Sequence, residues 1–196
     1  MRVPHKTLSM ARLIHVYVSM ALLTLLLFFS VTGITLNHPE WFAQHSPQVN
    51  EGEWNISPEL LENPPLTPLQ LVKVQAELEQ LTGKNLSQSI IESGEAEVYF
   101  ALKKAGANTS ISIDLETGEA FFEHTDYGWW AWLNDLHKGR NTSLFWSVVI
   151  DLSSVLFIIF AVTGFILAMP QRRFTRTLTA GIATTVVTLL IAALLS

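Results

Sequence analysis

The chain has 196 residues with a formal charge of −5, and 49% of them are hydrophobic. Six histidines stand in a chain without cysteine, which excludes disulfides, iron–sulfur clusters and thiolate-ligated haem. The modest net charge conceals a split between segments and gives no reason to expect a nucleic-acid partner.

Residues 1–12 form a basic tail carrying Arg2, Lys6 and Arg12. Residues 13–36 follow as an apolar run long enough to cross a hydrocarbon core of about 30 Å. Its end, Ile34-Thr35-Leu36-Asn37-His38-Pro39, lacks the small-residue pattern of a cleavage site, so the run is expected to be a retained membrane helix. Residues 37–142 are too long for a connector and predict a small folded unit. Within them, a Pro-rich spacer at 57–68 leads to a helix with Thr67 as N-cap, Pro68 at the first position and Gln70 completing a capping box. Leu71, Val74, Leu78 and Leu81 make its apolar stripe, and Gly83 its stop. Alternation then predicts strands at 97–102, 110–114 and 119–123, the last two joined by the turn Asp114-Leu115-Glu116-Thr117-Gly118. A second membrane helix is expected over 143–169, a short basic loop with Arg172, Arg173 and Arg176 over 170–177, and a third membrane helix over 178–195.

Charge orients these spans. Both short basic segments are free of acids and are expected on the cytoplasmic side, whereas 37–144 carries six bases and sixteen acids, a net charge of −10. The fold class expected is therefore a membrane α-helical protein of three transmembrane helices with a small α+β domain outside. In a bacterium that means the inner membrane, with the N-terminus cytoplasmic and the central domain periplasmic.

A pattern recurs at the ends of the first two spans, Phe29-Ser30-Val31-Thr32-Gly33 and Phe160-Ala161-Val162-Thr163-Gly164, and runs on to Pro39 and Pro170. Helices that end alike but enter from opposite sides suggest an inverted-topology pair. Histidines at the ends of membrane helices point first to bis-imidazole haem. His38 follows the outer end of the first span and His137 precedes the second, so a haem between antiparallel helices is expected to take both. The alternative is a pair of interfacial histidines bonded to backbone or headgroups. About 34 Å of helix separates His15 from His38, so His15 needs a partner of its own. Candidates are Met169, His15 of a second copy, or another subunit; alternatively His15 meets a lipid phosphate beside Arg12.

Asp151 is the only acid inside a membrane run and lies roughly 12 Å along its helix. It is expected to orient a ligating imidazole, to relay a proton, or to bond to neighbouring hydroxyls. Arg140 and Lys138 beside His137 would meet haem propionates or lipid phosphates. Gly33 and Gly164 would let a flat macrocycle or another helix approach the backbone closely, and are assigned to close helix packing. Tyr127, Trp129, Trp130, Trp132 and Trp146 are assigned to an interfacial aromatic belt. His5 stands in the tail, His45 in the loop and His124 at a strand end; the last two could offer imidazoles to iron at the outer surface, but the expectation for solvated histidines is no specific role.

The order of Arg12-Leu13-Ile14-His15, the Val-Thr-Gly helix ends, Ile113-Asp114 with Thr117-Gly118-Glu119, and Leu136-His137-Lys138-Gly139 resembles the PepSY-associated transmembrane family. The resemblance covers the chain up to Met169. It implies a PepSY-like domain between membrane helices and, as in some members of that group, an inner-membrane haem protein that reduces ferric iron or ferric siderophores. One or two haem b groups would be held by His38, His137 and His15. Electrons would come from quinol or a redox subunit, because no nucleotide-binding G-x-G-x-x-G opens a helix here. No G-x-S-x-G, H-E-x-x-H or P-loop occurs either. The competing expectation is a haem-free, membrane-anchored PepSY scaffold or accessory subunit that regulates a peptidase, transporter or respiratory complex. A homodimer or larger membrane complex in a lipid environment fits both.

Overall fold

The computed structural model describes residues 3–41 and 47–195. Three helices are long and apolar enough to cross a membrane: α1 (His5–Asn37), α4 (Leu144–Ala168) and α5 (Phe174–Leu195). Between α1 and α4 lie strands β1 (Gln48–Asn55), β2 (Ile90–Ser93), β3 (Glu97–Lys104), β4 (Ala107–Asp114) and β5 (Glu119–Asp126), with helices α2 (Pro68–Thr82) and α3 (Gly128–Lys138). Three spanning helices with an antiparallel sheet domain between the first two is the architecture expected. Helix α1 begins at His5, so that residue belongs to the helix and not to a loose tail.

By its internal contacts the chain divides into two units, Met1–Leu27 with Val149–Ser196, and Phe28–Val148. Each is described by itself.

In the second unit the five strands form an antiparallel sheet in the order β1-β5-β4-β3-β2. Alternation decides its inner face. Val98, Phe100 and Leu102 of β3, Ile111 and Ile113 of β4, and Ala120 and Phe122 of β5 all turn inward. Val74 and Leu78 of α2 cover them and complete the core. The helix starts where its residues dictate: Thr67 accepts from the Gln70 backbone N–H, Gln70 Oε1 accepts from the Thr67 N–H at 2.9 Å, and Gly83 closes the end at φ 65°. The β4–β5 turn is held by Asp114, whose Oδ1 accepts from the backbone N–H groups of Glu116 at 2.8 Å and Thr117 at 2.9 Å. Those two bonds, Thr117's the stronger, hold the Asp114 carboxyl below its ordinary pKa.

Three elements of this unit were not expected: the strands β1 and β2, the latter an edge strand paired with β3, and the helix α3. Strand β1 has no apolar alternation, yet it pairs with β5 along its whole length, and its Trp54 ring meets Phe122 edge-on. Helix α3 occupies the aromatic stretch assigned above to a belt alone.

In the first unit Ala11 and Leu22 of α1 and Ser153 and Thr163 of α4 are buried. Helix α5 has no buried residue. The α4–α5 turn is braced by Phe165 and Phe174, edge to face at 5.3 Å.

Phe100 is 1% exposed at the centre of the sheet core. Phe100→Ala should cost roughly 3–5 kcal/mol of domain stability. Thermal unfolding of the detergent-solubilised chain would read this as a lower midpoint; an unchanged midpoint would contradict the core described.

Candidate functional site: two imidazoles held by Thr-Gly turns

Each copy of the repeated Phe-x-Val-Thr-Gly pattern receives one histidine. In the second unit His137, in the last turn of α3, meets Thr32 of α1. The Thr32 hydroxyl donates to the Phe28 carbonyl at 2.7 Å, so its single proton is already committed. Toward His137 it can only accept, and Nδ1 therefore donates across 2.7 Å. Thr32 is 2% exposed, so this bond lies out of water. Phe29 meets the imidazole edge-on at 5.3 Å, and a Cβ at Gly33 would lie 3.6 Å from His137 Cε1. Two further contacts seat α3. Thr35 and the side-chain amide of Asn134 bond at 2.7 Å, and Trp146 Nε1 donates to the Leu136 carbonyl at 2.8 Å.

The first unit repeats the arrangement with different helices. His15 of α1 meets Thr163 of α4, Nδ1 to Oγ1 at 2.9 Å, while the Thr163 hydroxyl donates to the Ile159 carbonyl at 2.8 Å. His15 Nδ1 also lies 3.2 Å from the Phe160 carbonyl oxygen, an atom that can only accept. The proton is again on Nδ1. Phe160 stacks on the imidazole at 4.4 Å with 17° between the planes. A Cβ at Gly164 would stand 3.2 Å from His15 Cε1. At both places the proton on Nδ1 leaves a lone pair on Nε2, and neither Nε2 is bonded to a described residue.

The other expected site residues are placed differently. His38 stacks flat on Trp41 at 3.9 Å, its Nδ1 is 3.3 Å from Glu40 Oε1, and its Nε2 is 3.3 Å from Asn37 Nδ2. Both of its ring nitrogens are thus engaged locally, and no contact joins it to His137. Met169 follows the end of α4, where its N–H donates to the Phe165 carbonyl, and no contact joins it to His15. Asp151 is exposed on α4 with no hydrogen bond or ion pair to a described residue. The Arg140 side chain is exposed, while its N–H donates to the Asp135 carbonyl at 3.0 Å. His124 pairs through Nδ1 with Thr109 Oγ1 at 2.8 Å, and His45 lies outside the described residues. Among the described residues no three His, Cys, Asp or Glu side chains gather as a metal site.

A haem needs an imidazole with Nε2 free and Nδ1 fixed by an acceptor. His15 and His137 fit that requirement and would be the residues to hold it. Thr32 and Thr163 are the partners that reasoning from sequence missed, while Gly33 and Gly164, read as close-approach positions, admit an imidazole. The repeat was their signal, since two short patterns matched in register alongside two unmatched histidines.

The family described as Putative PepSY_TM-like matches residues 9–196. The chain belongs to this family. No curated protein and no solved structure matches it. Membership fixes the membrane-plus-PepSY architecture and extends it through α5.

The spacing at the two glycines separates their substitutions. Gly164→Ala should push the His15 ring off Thr163 and lower the melting temperature, whereas Gly33→Ala, with ordinary van der Waals room, should change it little. Equal effects would contradict the geometry. Burial holds the His137 pKa below its ordinary value, and Lys138 pushes it the same way. The folded chain thus favours the neutral ring, while the unfolded chain takes up a proton below about pH 6.5. Stability should fall as pH drops through that range. His137→Asn, which keeps a donor for Thr32 without a titrating ring, should flatten the fall, as melting temperatures measured between about pH 7.5 and about pH 5 would show.

Proposed function

We propose that the chain is a membrane haem protein that passes electrons toward the face carrying the PepSY domain, with ferric iron or a ferric chelate as the acceptor. The observation that carries this reading is the shared state of two imidazoles. Each is fixed through Nδ1–H to a threonine, with an unbonded Nε2. Haem would supply one-electron redox chemistry when bound.

The residues of this chain do the rest. Thr32 and Thr163 hold the ring planes and the tautomer, and so aim each Nε2 lone pair. Phe29 and Phe160 flank the rings with apolar surface. Burial keeps His137 neutral and therefore able to ligate. Because the described residues bring one imidazole to each place, any further protein ligand would come from another subunit or another copy of the chain. The positive-inside rule supports a cytoplasmic N-terminus and an outer sheet domain, which in a bacterium is the periplasmic side of the inner membrane. Quinol or a redox subunit would be the donor.

The same bonds favour a second reading. Each histidine ties two helices together, which is what a haem-free PepSY scaffold or accessory subunit needs.

An oxidised-minus-reduced visible spectrum of the purified chain, made with ample haem, decides between them. The expected result is a low-spin b-type signal reduced by His15→Ala and by His137→Ala and unaffected by His38→Ala. No absorbance, or a signal that survives the His15→Ala/His137→Ala double variant, would sink the haem reading.

A further inference from the structure

A cavity of about 520 Å³ in the second unit lies outside both histidine sites. Its walls differ in character. Lys103 and Lys104, at the end of β3, supply ammonium groups on one side. Trp132 and Leu136 of α3, with Phe145 and Trp146 at the start of α4, supply an apolar stretch, and Gln88, Asn141, Thr142 and Ser143 supply uncharged polar groups. No carboxylate lines it.

The charge is out of keeping with its surroundings. Residues 37–144 contain sixteen acids and only six bases. Of those six, Lys103 and Lys104 line the cavity, and Lys138 and Arg140 stand within two residues of Leu136 and Asn141, which also line it. Among the described residues no ion pair engages Lys103 or Lys104. Lys103 and Lys104 are thus exposed, adjacent in sequence and, among the described residues, without an ion pair, in a segment dominated by acids.

The cavity is also preformed. Gly106, at the tip of the β3–β4 hairpin, has φ 70°, and a Cβ there would fall 2.8 Å from Trp132. Its N–H donates to Asp135 Oδ2 at 2.9 Å, and its carbonyl accepts from the Tyr127 N–H at 2.9 Å. The Trp146 indole is pinned to the Leu136 carbonyl of the same helix α3.

We propose that this cavity binds an anionic phospholipid, its phosphate at Lys103 and Lys104 and its acyl chain along Phe145. A lipid fits better than a free oxyanion because the apolar wall opens where a membrane-spanning helix begins. Leu144 and Phe145 there are 82% and 75% exposed. A phosphate headgroup meets cations while its chain stays with apolar surface, which is how basic residues beside a spanning helix select acidic lipid. The proposal does not depend on haem.

The full chain in nanodiscs of equimolar phosphatidylglycerol and phosphatidylcholine tests it by native mass spectrometry of the lipid that stays bound. Phosphatidylglycerol should dominate the adducts. Lys103→Gln/Lys104→Gln should weaken that preference roughly ten- to thirtyfold, whereas Lys73→Gln/Lys84→Gln, removing two bases elsewhere on the domain, should keep it. Equal retention of the two lipids, survival of the preference in the first variant, or equal loss in both would overturn the proposal. A second measurement needs no variant: brominated phosphatidylglycerol should quench tryptophan fluorescence more than brominated phosphatidylcholine. Equal quenching counts against the site. Displacement of the lipid by millimolar inorganic phosphate would show that a free oxyanion suffices and would overturn it too.

Discussion

A threonine hydroxyl inside a helix has one proton, and the nearest acceptor is the carbonyl a turn behind it. Thr32 and Thr163 both give their proton to that carbonyl, so the oxygen faces its neighbour with lone pairs alone. Whatever packs there must bring a donor, because an unmatched polar atom is costly where water is scarce. An imidazole satisfies the demand with one nitrogen and keeps the other. Ring orientation, tautomer and the direction of Nε2 all follow from this one bond, and the flanking phenylalanine and glycine adapt the surface to a flat ring. The chemistry proposed for the protein and the helix-tying role that competes with it both start there.

In the second unit the rest of the structure serves to bring His137 to that hydroxyl. The sheet buries its apolar face under α2, which gives β3, β4 and β5 a fixed register. The chain leaves β5 directly into α3, and the hairpin tip at Gly106 rests on the same helix. Asp135 contributes from both ends of its residue: its carboxylate accepts from Gly106 and its carbonyl from Arg140. Helix α3 is therefore fixed by the sheet on one side and by Thr32, Thr35 and Trp146 on the other.

Local rules made much of this legible. Apolar length marked three spans, the capping box marked α2, and alternation marked β3 to β5. What escaped had no local signature. Strand β1, Gln48–Asn55, is mostly polar, without apolar alternation, and is a strand because β5 offers it a ladder. Helix α3 lacks a side-chain cap, since Tyr127 stands at its N-cap position, and its tryptophans read equally well as an interfacial belt. His38 was favoured because it sits next to a helix end, but its own neighbours Glu40 and Trp41 occupy the ring. The threonines that fix His15 and His137 are 148 and 105 residues away along the chain, and only tertiary structure brings such pairs together. The repeat was visible, but its meaning was not, because a Thr-Gly pair in a membrane helix ordinarily signals close packing.

The seat of Gly106 on Trp132 and Asp135 has a mechanical consequence. A backbone that close to a helix has no slack, so a force on the β3–β4 hairpin is transmitted to α3 without an intervening soft layer. His137 rides on that helix, five residues beyond Trp132 and two beyond Asp135. The hairpin tip and the Thr32–His137 bond are thus coupled through the one short helix that carries both.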